Sequence, residues 1–490
     1  MSVRPSIASF RSHDLREDQA ERASTSQGRL VASSFIFFTD SAITTMPKRF
    51  HRVLSAVAMA VILISENLQA APPNVVLIIS DDHGWKDYEF MGHSQLKTPH
   101  LDRLASESLV FTRGHVPMSL CRPSLSTIIT GRYPHQHGIV GNDPPIPPQA
   151  RELSRRQVQF HPDYQKVRTE YIAHIDDEAT LPAVLGSKLG YVSFQTGKWW
   201  EGPATRGGFT EGMTHGDMTR GGRHGDEGLK IGREGMQPAF EFMAKAVQDE
   251  KPFLLWYAPL LPHSPHKAPE RLIDKYKSLT PHHEVARYWA SVEWFDETVG
   301  ELMSELDRLK VADNTLVLYL ADNGWLNKPD ADAYAPRSKL SPYEGGLRTP
   351  IMIRWPGKVA PRREEKQLAS SIDLAPTALR ACGLAVPETL PGIDLLDSQQ
   401  VAARSAVFGE IFEHDIQSMD APRDSLKFRW VIEGDWKLIK PYEKRLPDAT
   451  VELFNLADDP DELKNLATHE PSKVAELTRK LDGWWAPDTQ

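Results

Sequence analysis

Two stretches far apart in the chain carry the same pattern. "NVVLIIS", Asn74–Ser80, and "TLVLYLA", Thr315–Ala321, are unbroken runs of apolar, β-prone residues. A strand with one wet face alternates apolar and polar positions. An unbroken run signals burial on both faces, the condition of a parallel sheet covered by helices. Both runs end in oxygen-rich side chains followed by glycine: Asp81, Asp82, His83 and Gly84 after the first, Asp322, Asn323 and Gly324 after the second. Further strands are expected over residues 191–197, 253–259 and 351–357. Trp289, Val292, Phe295, Val299, Leu302 and Leu306 recur at three- and four-residue spacing and predict a long helix over 284–310. The fold class is therefore α/β, a large, mostly parallel central sheet flanked by helices.

After about residue 380 the pattern changes. "FRWVIEGDWKLIKPY" and "VELFNLADDPDELKNLA" suggest a short antiparallel sheet and a terminal helix, hence a smaller C-terminal α+β domain over 381–490, with the main domain over 72–380. Two long segments read as functional loops: a Pro-rich, charged one over 142–163, and a glycine-dense one over 201–235 that carries His215, Arg220, Arg223, His224 and Arg233. Near the N-terminus, Lys48, Arg49 and Arg52 precede an apolar run over 53–64, followed by small residues near Ala70 and Ala71. That is the layout of a signal peptide over 46–71, too short for a membrane span. Residues 1–45 are polar and without periodicity, so Met46 reads as the true start. An exported protein, periplasmic or extracellular, is expected.

A net charge of −9 argues against a general nucleic-acid partner but leaves room for a local anion site. Asp81, Asp82, Asp322 and Asn323 sit where ligands gather in open α/β sheets, beyond the carboxyl ends of strands. Three carboxylates and an amide suit a hard divalent cation, calcium more readily than zinc because no His/Cys ligand set is evident, with magnesium as the alternative. Turn-forming and capping roles explain such residues equally well when each pair is taken alone.

Cys121, one of two cysteines, stands in "SLCRPSLSTIITGRYPHQHG". Pro123 suits a first helical position, 126–130 reads as helix, and Gly131 ends it. Cys121 would then lie beside free backbone N–H groups that favour anions. It is a nucleophile, a bridge partner of Cys382, or an idle thiol. Lys198 in "TGKWWEG" follows one strand, His263 and His266 in "PLLPHSPHKAP" follow another, and Lys339 precedes two glycines in "SKLSPYEGGLRTP". Each has a solvated or structural alternative when taken singly.

Together the segments "NVVLIISDDHGW", "TPHLDRLASES", "CRPSLSTIITGRYPHQHG", "TGKWW", "PHSPH", "YLADNG", "YEGGLRTPIMIRWPG" and "LFNLADDPDELKNLA" resemble, in their order, the formylglycine-dependent sulfatases of the alkaline-phosphatase-like superfamily, arylsulfatases among them. The resemblance implies a sulfuric ester hydrolase acting on a sulfated carbohydrate or aryl sulfate. It implies that a formylglycine-generating enzyme oxidises Cys121 to an aldehyde whose hydrate attacks sulfur with one hydroxyl and expels sulfate with the other. It further implies that Asp81, Asp82, Asp322, Asn323 and the modified Cys121 ligate calcium, that Lys198 and Lys339 bind sulfate, and that His263 protonates the leaving alcohol.

Two positions depart from the family pattern. Leu125 stands where an Arg is usual, four residues after the cysteine, which makes Arg122 or Arg132 a candidate replacement. Trp200 stands where a His is usual, two residues after Lys198, which makes His215 or His224 a candidate. Competing functions are a phosphomonoesterase or phosphodiesterase on the same scaffold, and a non-catalytic protein that binds sulfated glycans.

Overall fold

The computed structural model describes residues 72–489; the expected leader and signal peptide lie outside them. Two runs singled out in the sequence form the expected strands, β1 (Asn74–Ser80) and β6 (Thr315–Ala321). Between them in chain order come β2 (Leu109–His115), β3 (Val192–Gly197), the two-residue β4 (Glu211–Gly212) and β5 (Phe253–Ala258). After them come β7 (Arg348–Arg354) and β8 (Arg362–Ser370). These eight make one sheet in the order β4-β3-β5-β1-β6-β7-β2-β8. β1 is parallel to both β5 and β6, β3 to β5, and β2 to β8. Only β7 runs the other way, antiparallel to β6 and β2. The expected mostly parallel sheet is therefore observed.

Alternation along the central strands builds two cores. Val75, Leu77 and Ile79 join Leu254, Trp256, Leu316, Leu318 and Leu320 on one face. Val76 and Ile78 join Phe253, Leu255, Tyr257, Val317 and Tyr319 on the other. Helix α1 (Cys121–Thr130) covers the first face with Leu125, Ile128 and Ile129. Helices α2 (Gln237–Gln248) and α3 (His283–Arg308) cover the second, the latter through Phe295, Val299, Leu302 and Leu306. Both faces are dry, which is why neither strand needed an alternating pattern. Each large side chain buried this way contributes about 1.5–3 kcal/mol. Among the described residues no helix is long and apolar enough to cross a membrane.

A second, antiparallel sheet follows, β9 (Ala406–Phe412), β10 (Leu426–Glu433), β11 (Trp436–Pro441) and β12 (Glu452–Asn455), ordered β12-β11-β10-β9. One face packs on helix α4 (Pro471–Trp484) through Val431, Leu438, Leu453, Leu477 and Leu481. The other face sends Trp430, Ile432, Ile439 and Phe454 into the first core of the large sheet. Trp430 Nε1 donates to the Pro117 carbonyl at 3.2 Å. Polar groups reinforce this seam. Lys437, wholly buried on β11, lies 3.0 Å from Glu344 and 2.8 Å from Glu462, and Glu344 also faces His115 at 3.2 Å. The small sheet thereby anchors residue 344, a few positions past Lys339.

Helix α1 begins earlier than expected. Cys121 is its first residue, so Pro123 is third rather than first. The reason is local: N–H groups of the first turn have no intrahelical acceptor, so proline sacrifices no hydrogen bond there. The ladder starts at Ser124 N–H, which donates to Leu120 C=O at 3.0 Å. Gly131 ends the helix with φ of 71°.

The Phe295 ring is fully buried between α3 and the sheet. Phe295→Ala is expected to cost about 3–5 kcal/mol of unfolding free energy, read as a lowered urea midpoint with an unchanged slope.

Candidate functional site

Parallel strands deliver their carboxyl ends to one edge of the sheet, and the site is built there. In the β1–β6 register Ser80 opposes Ala321, so the next residues, Asp81 and Asp322, leave the sheet side by side. Asp322 N–H donates to Ser80 C=O at 2.8 Å, and Asp81 N–H to Leu261 C=O at 2.9 Å. Asp82 adopts φ of 60°, an uncommon conformation for a residue with a Cβ, and its N–H donates to Asp322 Oδ1 at 3.1 Å. Such backbone geometry persists where surrounding contacts over-determine it.

Lys198 arrives from the end of β3. Gly197 has φ of 77°, and a Cβ there would lie 1.7 Å from the Ala258 carbonyl oxygen; only glycine allows the turn that aims Lys198 inward. Lys339 arrives from the loop before β7. Gly345 and Gly346 let that loop fold back, since Cβ atoms would meet the carbonyl oxygens of Arg337 and Ser338 at 2.4 and 2.2 Å. The two glycines thus serve backbone packing beneath Lys339.

All eight residues expected at the site converge. Lys198 Nζ lies 2.7 Å from Asp81 Oδ1 and 3.0 Å from Cys121 Sγ. Lys339 Nζ lies 2.6 Å from Asp82 Oδ1 and 3.0 Å from the same sulfur. Asn323 Nδ2 donates to Asp82 Oδ1 at 2.6 Å, and His263 Nε2 faces Asp82 Oδ2 at 3.3 Å. Ligand atoms of Asp81, Asp82, Cys121 and His263 fall within 4.8 Å of one another. Asp81 Oδ2, Asp82 Oδ2, Asp322 Oδ2 and Asn323 Oδ1 are buried and accept no hydrogen bond. One orphaned oxygen from each of Asp81, Asp82, Asp322 and Asn323 is the donor chemistry a hard cation requires, so these residues fit one.

Burial and charge pull the titrating groups apart. Burial pushes the Cys121 thiol up to about 12, against the opposing pull of Lys198 and Lys339. Burial also acts to raise Asp82, but Lys339, His263 and Lys198 outweigh it and hold the carboxyl well below its usual range. Asp322 is driven well above that range by burial and by Asp81. Lys339 stays charged because Asp82 and Cys121 overcome its desolvation.

The cluster floors a cavity of about 490 Å³, within the size range of small-molecule sites. Trp200, Arg155, Arg223, His224 and His414 line it, together with Trp325, Asp332 and Tyr334. Sequence reading missed Arg155, His414, Trp325, Asp332 and Tyr334. Trp325, Asp332 and Tyr334 follow the marked run that forms β6, and Arg155 belongs to the Pro-rich loop over 142–163; His414 carried no signal, and its carbonyl accepts from Asn142 N–H at 2.9 Å.

The remaining candidates separate. Arg122, the second residue of α1, is buried, with Nε 2.7 Å from Glu201 Oε1 and its guanidinium 4.0 Å from the Tyr171 ring centre; it does not line the cavity. Arg132 pairs with Glu178 at 2.8 Å. Neither supplies charge to the cavity in place of the Leu125 side chain, which is itself in the core. His215 pairs with Asp226 at 3.1 Å and lies off the cavity, whereas His224 lines it, its ring 5.3 Å from Trp200. His266 is buried against Tyr288 and Trp325 with Asp332 at 2.9 Å. Cys121 and Cys382 are both free; Cys382 Sγ lies 3.1 Å from the Tyr191 hydroxyl, so no bridge forms.

Glu201→Ala would strand the buried Arg122 guanidinium. The expected cost is about 3–5 kcal/mol, measured by urea unfolding, and a change below about 0.5 kcal/mol would contradict the pairing.

Known proteins resemble this chain in sequence and in fold. Residues 73–384 match the profile of the sulfatase family, and residues 338–484 that of the N-sulphoglucosamine sulphohydrolase C-terminal region. N-acetylgalactosamine-6-sulfatase of Canis lupus familiaris is 29% identical over 365 residues, 66% of this chain and 65% of that protein. Arylsulfatase A of Homo sapiens is 29% identical over 376 residues, 66% of this chain and 67% of that protein. The match thus spans about two thirds of these relatives' length. The crystal structure of Ps i-CgsB in complex with k-i-k-neocarrahexaose superposes with a TM-score of 0.66 at 24% identity, covering 84% of this chain and 93% of the other. With its central sheet, its site at the strand ends and a family profile matched over more than half its length, the chain belongs to the sulfatase family.

Proposed function

We propose that the protein hydrolyses sulfuric esters, removing sulfate from a sulfated carbohydrate or an aryl sulfate. The observation that carries this reading is the approach of two ammonium groups, Lys198 and Lys339, to 3.0 Å from one Cys121 sulfur above a carboxylate cluster. Asp81, Asp82, Asp322 and Asn323 would hold a divalent cation, with residue 121 as a further ligand; all-oxygen side chains suit calcium, and magnesium is the alternative. When bound, that cation supplies Lewis-acid polarisation. Formylglycine made from Cys121 by a formylglycine-generating enzyme supplies the nucleophilic hydroxyl and the means of release.

The side chains do the rest. Three carboxylates here face two ammonium groups, so a dication turns the site positive, the sign that an anionic ester needs. Lys198 and Lys339 donate hydrogen bonds to oxygens borne by residue 121 and by the sulfuryl group, offsetting charge that grows in the transition state. His263, partly exposed at the cavity, has Nδ1 against the Ser264 carbonyl and Nε2 3.3 Å from Asp82, and as an imidazolium it gives its Nε2 proton to the departing alcohol. His224, whose ring lies 5.3 Å from Trp200, is the cavity-lining histidine nearest the departure at position 200, and burial keeps it neutral. Export, with cleavage near Ala70 or Ala71, is part of the same reading.

Mass spectrometry of the peptide holding residue 121, from a host with the modifying enzyme, is expected to find an aldehyde. Activity on 4-nitrophenyl sulfate should exceed that on 4-nitrophenyl phosphate, and Cys121→Ala should lose about 1,000-fold or more of it. An intact thiol together with no sulfate hydrolysis would refute the reading, and a preference for phosphate would shift it to the phosphoesterase.

Chelator treatment should lower the unfolding midpoint. Calcium at about 100 times its Kd should then restore about 2.7 kcal/mol. Asp322→Asn should weaken that rescue, and an unchanged melting curve with and without chelator would speak against a cation here.

A further inference from the structure

Arg155 occupies a place that the hydrolysis of one sulfate group does not require. It lines the site cavity and also an adjoining groove of about 280 Å³, and so stands at the junction between the two. Its side chain is 71% exposed. Among the described residues its carboxylate partner is Asp143, at 3.6 Å, which is long for a charge-assisted hydrogen bond.

Asp143 is already committed elsewhere. Arg223 clamps both of its oxygens, Nε to Oδ1 at 3.1 Å and an Nη to Oδ2 closer still, and the Tyr164 hydroxyl donates to Oδ1 at 3.3 Å. The neighbouring His414 has its own acid, with Nδ1 2.5 Å from Asp415. The cavity lining therefore holds two guanidinium groups for one Asp143 carboxylate, and the less engaged of the two, Arg155, is the exposed one. Asp332 also lines the cavity and faces His266. Arg155 is thus a cavity-lining guanidinium whose carboxylate partner stands beyond close hydrogen-bond distance.

Resting on the sulfatase reading above, we infer that the substrate carries a second anionic group, which Arg155 binds while the scissile sulfate lies against Lys198 and Lys339. The shared chemistry is an oxyanion matched to a guanidinium fork, either a second sulfate or a uronic-acid carboxylate. Arg155 is then a specificity-determining residue. The groove beyond it, lined by Pro144, Ile146, Leu153 and Val158, leaves room for the substrate body past that group.

The test is calorimetric and kinetic. Binding of N-acetylglucosamine 6-sulfate, glucosamine 2-N,6-O-disulfate and a disaccharide of N-acetylglucosamine 6-sulfate with glucuronic acid is measured on Cys121→Ala and on Cys121→Ala/Arg155→Ala. Loss of Arg155 should weaken the doubly charged ligands about tenfold and the singly charged one less than about twofold. A loss limited to the disulfate names the second group as sulfate, and a loss limited to the disaccharide names it as carboxylate. In the active enzyme, Arg155→Ala should leave 4-nitrophenyl sulfate turnover within about twofold, which shows that the site is intact. Equal effects on all three ligands, or none, overturn the inference. Failure of the unsubstituted enzyme to hydrolyse any sulfate ester overturns the hydrolase reading instead, and the binding comparison still decides the role of Arg155.

Discussion

The pairing of β1 with β6 is the constraint on which the site depends. Ser80 opposite Ala321 forces Asp81, Asp82, Asp322 and Asn323 into one small volume at the sheet edge. Asp81 and Asp82 present ligand atoms within 4.8 Å of each other, where like charges repel by about 3 kcal/mol at an effective dielectric constant near 20. Such a cluster survives only if cations answer it. Lys198 and Lys339 do so, one for each of the two β1 carboxylates, and both ammonium groups end beside Cys121. The repulsion that endangers the fold is therefore what concentrates positive charge at residue 121.

Fold and site are coupled through backbone as much as side chains. Gly197 permits the turn into Lys198, and Gly345 and Gly346 permit the loop beneath Lys339. The small antiparallel sheet contributes from a distance: Lys437 on β11 is held between Glu344 and Glu462, which fixes the segment after Lys339. Trp430 and Phe454 complete a core that the large sheet alone leaves open. A change at Lys437 can thus reach the site through Glu344 and the segment that follows Lys339.

Much of this was legible in the chain. Asn74–Ser80 and Thr315–Ala321 had to be strands buried on both faces, because an unbroken apolar run fits little else of that length; Asp81, Asp82, Asp322 and Asn323 followed from their place at strand ends. The position of Gly131 marked the end of α1, while its start eluded the reading because Pro123 is tolerated anywhere in the first turn. Order along the chain, shared with a known family, singled out Cys121, Lys198, His263 and Lys339.

Local pattern determined which segments are strands and helices, and which residues are chemically equipped, because periodicity and residue type are properties of neighbours in sequence. The tertiary structure alone decided the partners. It set Arg122 on Glu201, away from the cavity, kept Cys382 with Tyr191 and apart from Cys121, and chose His224 over His215 for the cavity wall. It also brought Arg155 and His414, some 260 residues apart, to one cavity. Charges and thiols do not announce their distances in sequence; the meeting of loops from different strands sets those distances, and chain order does not encode it.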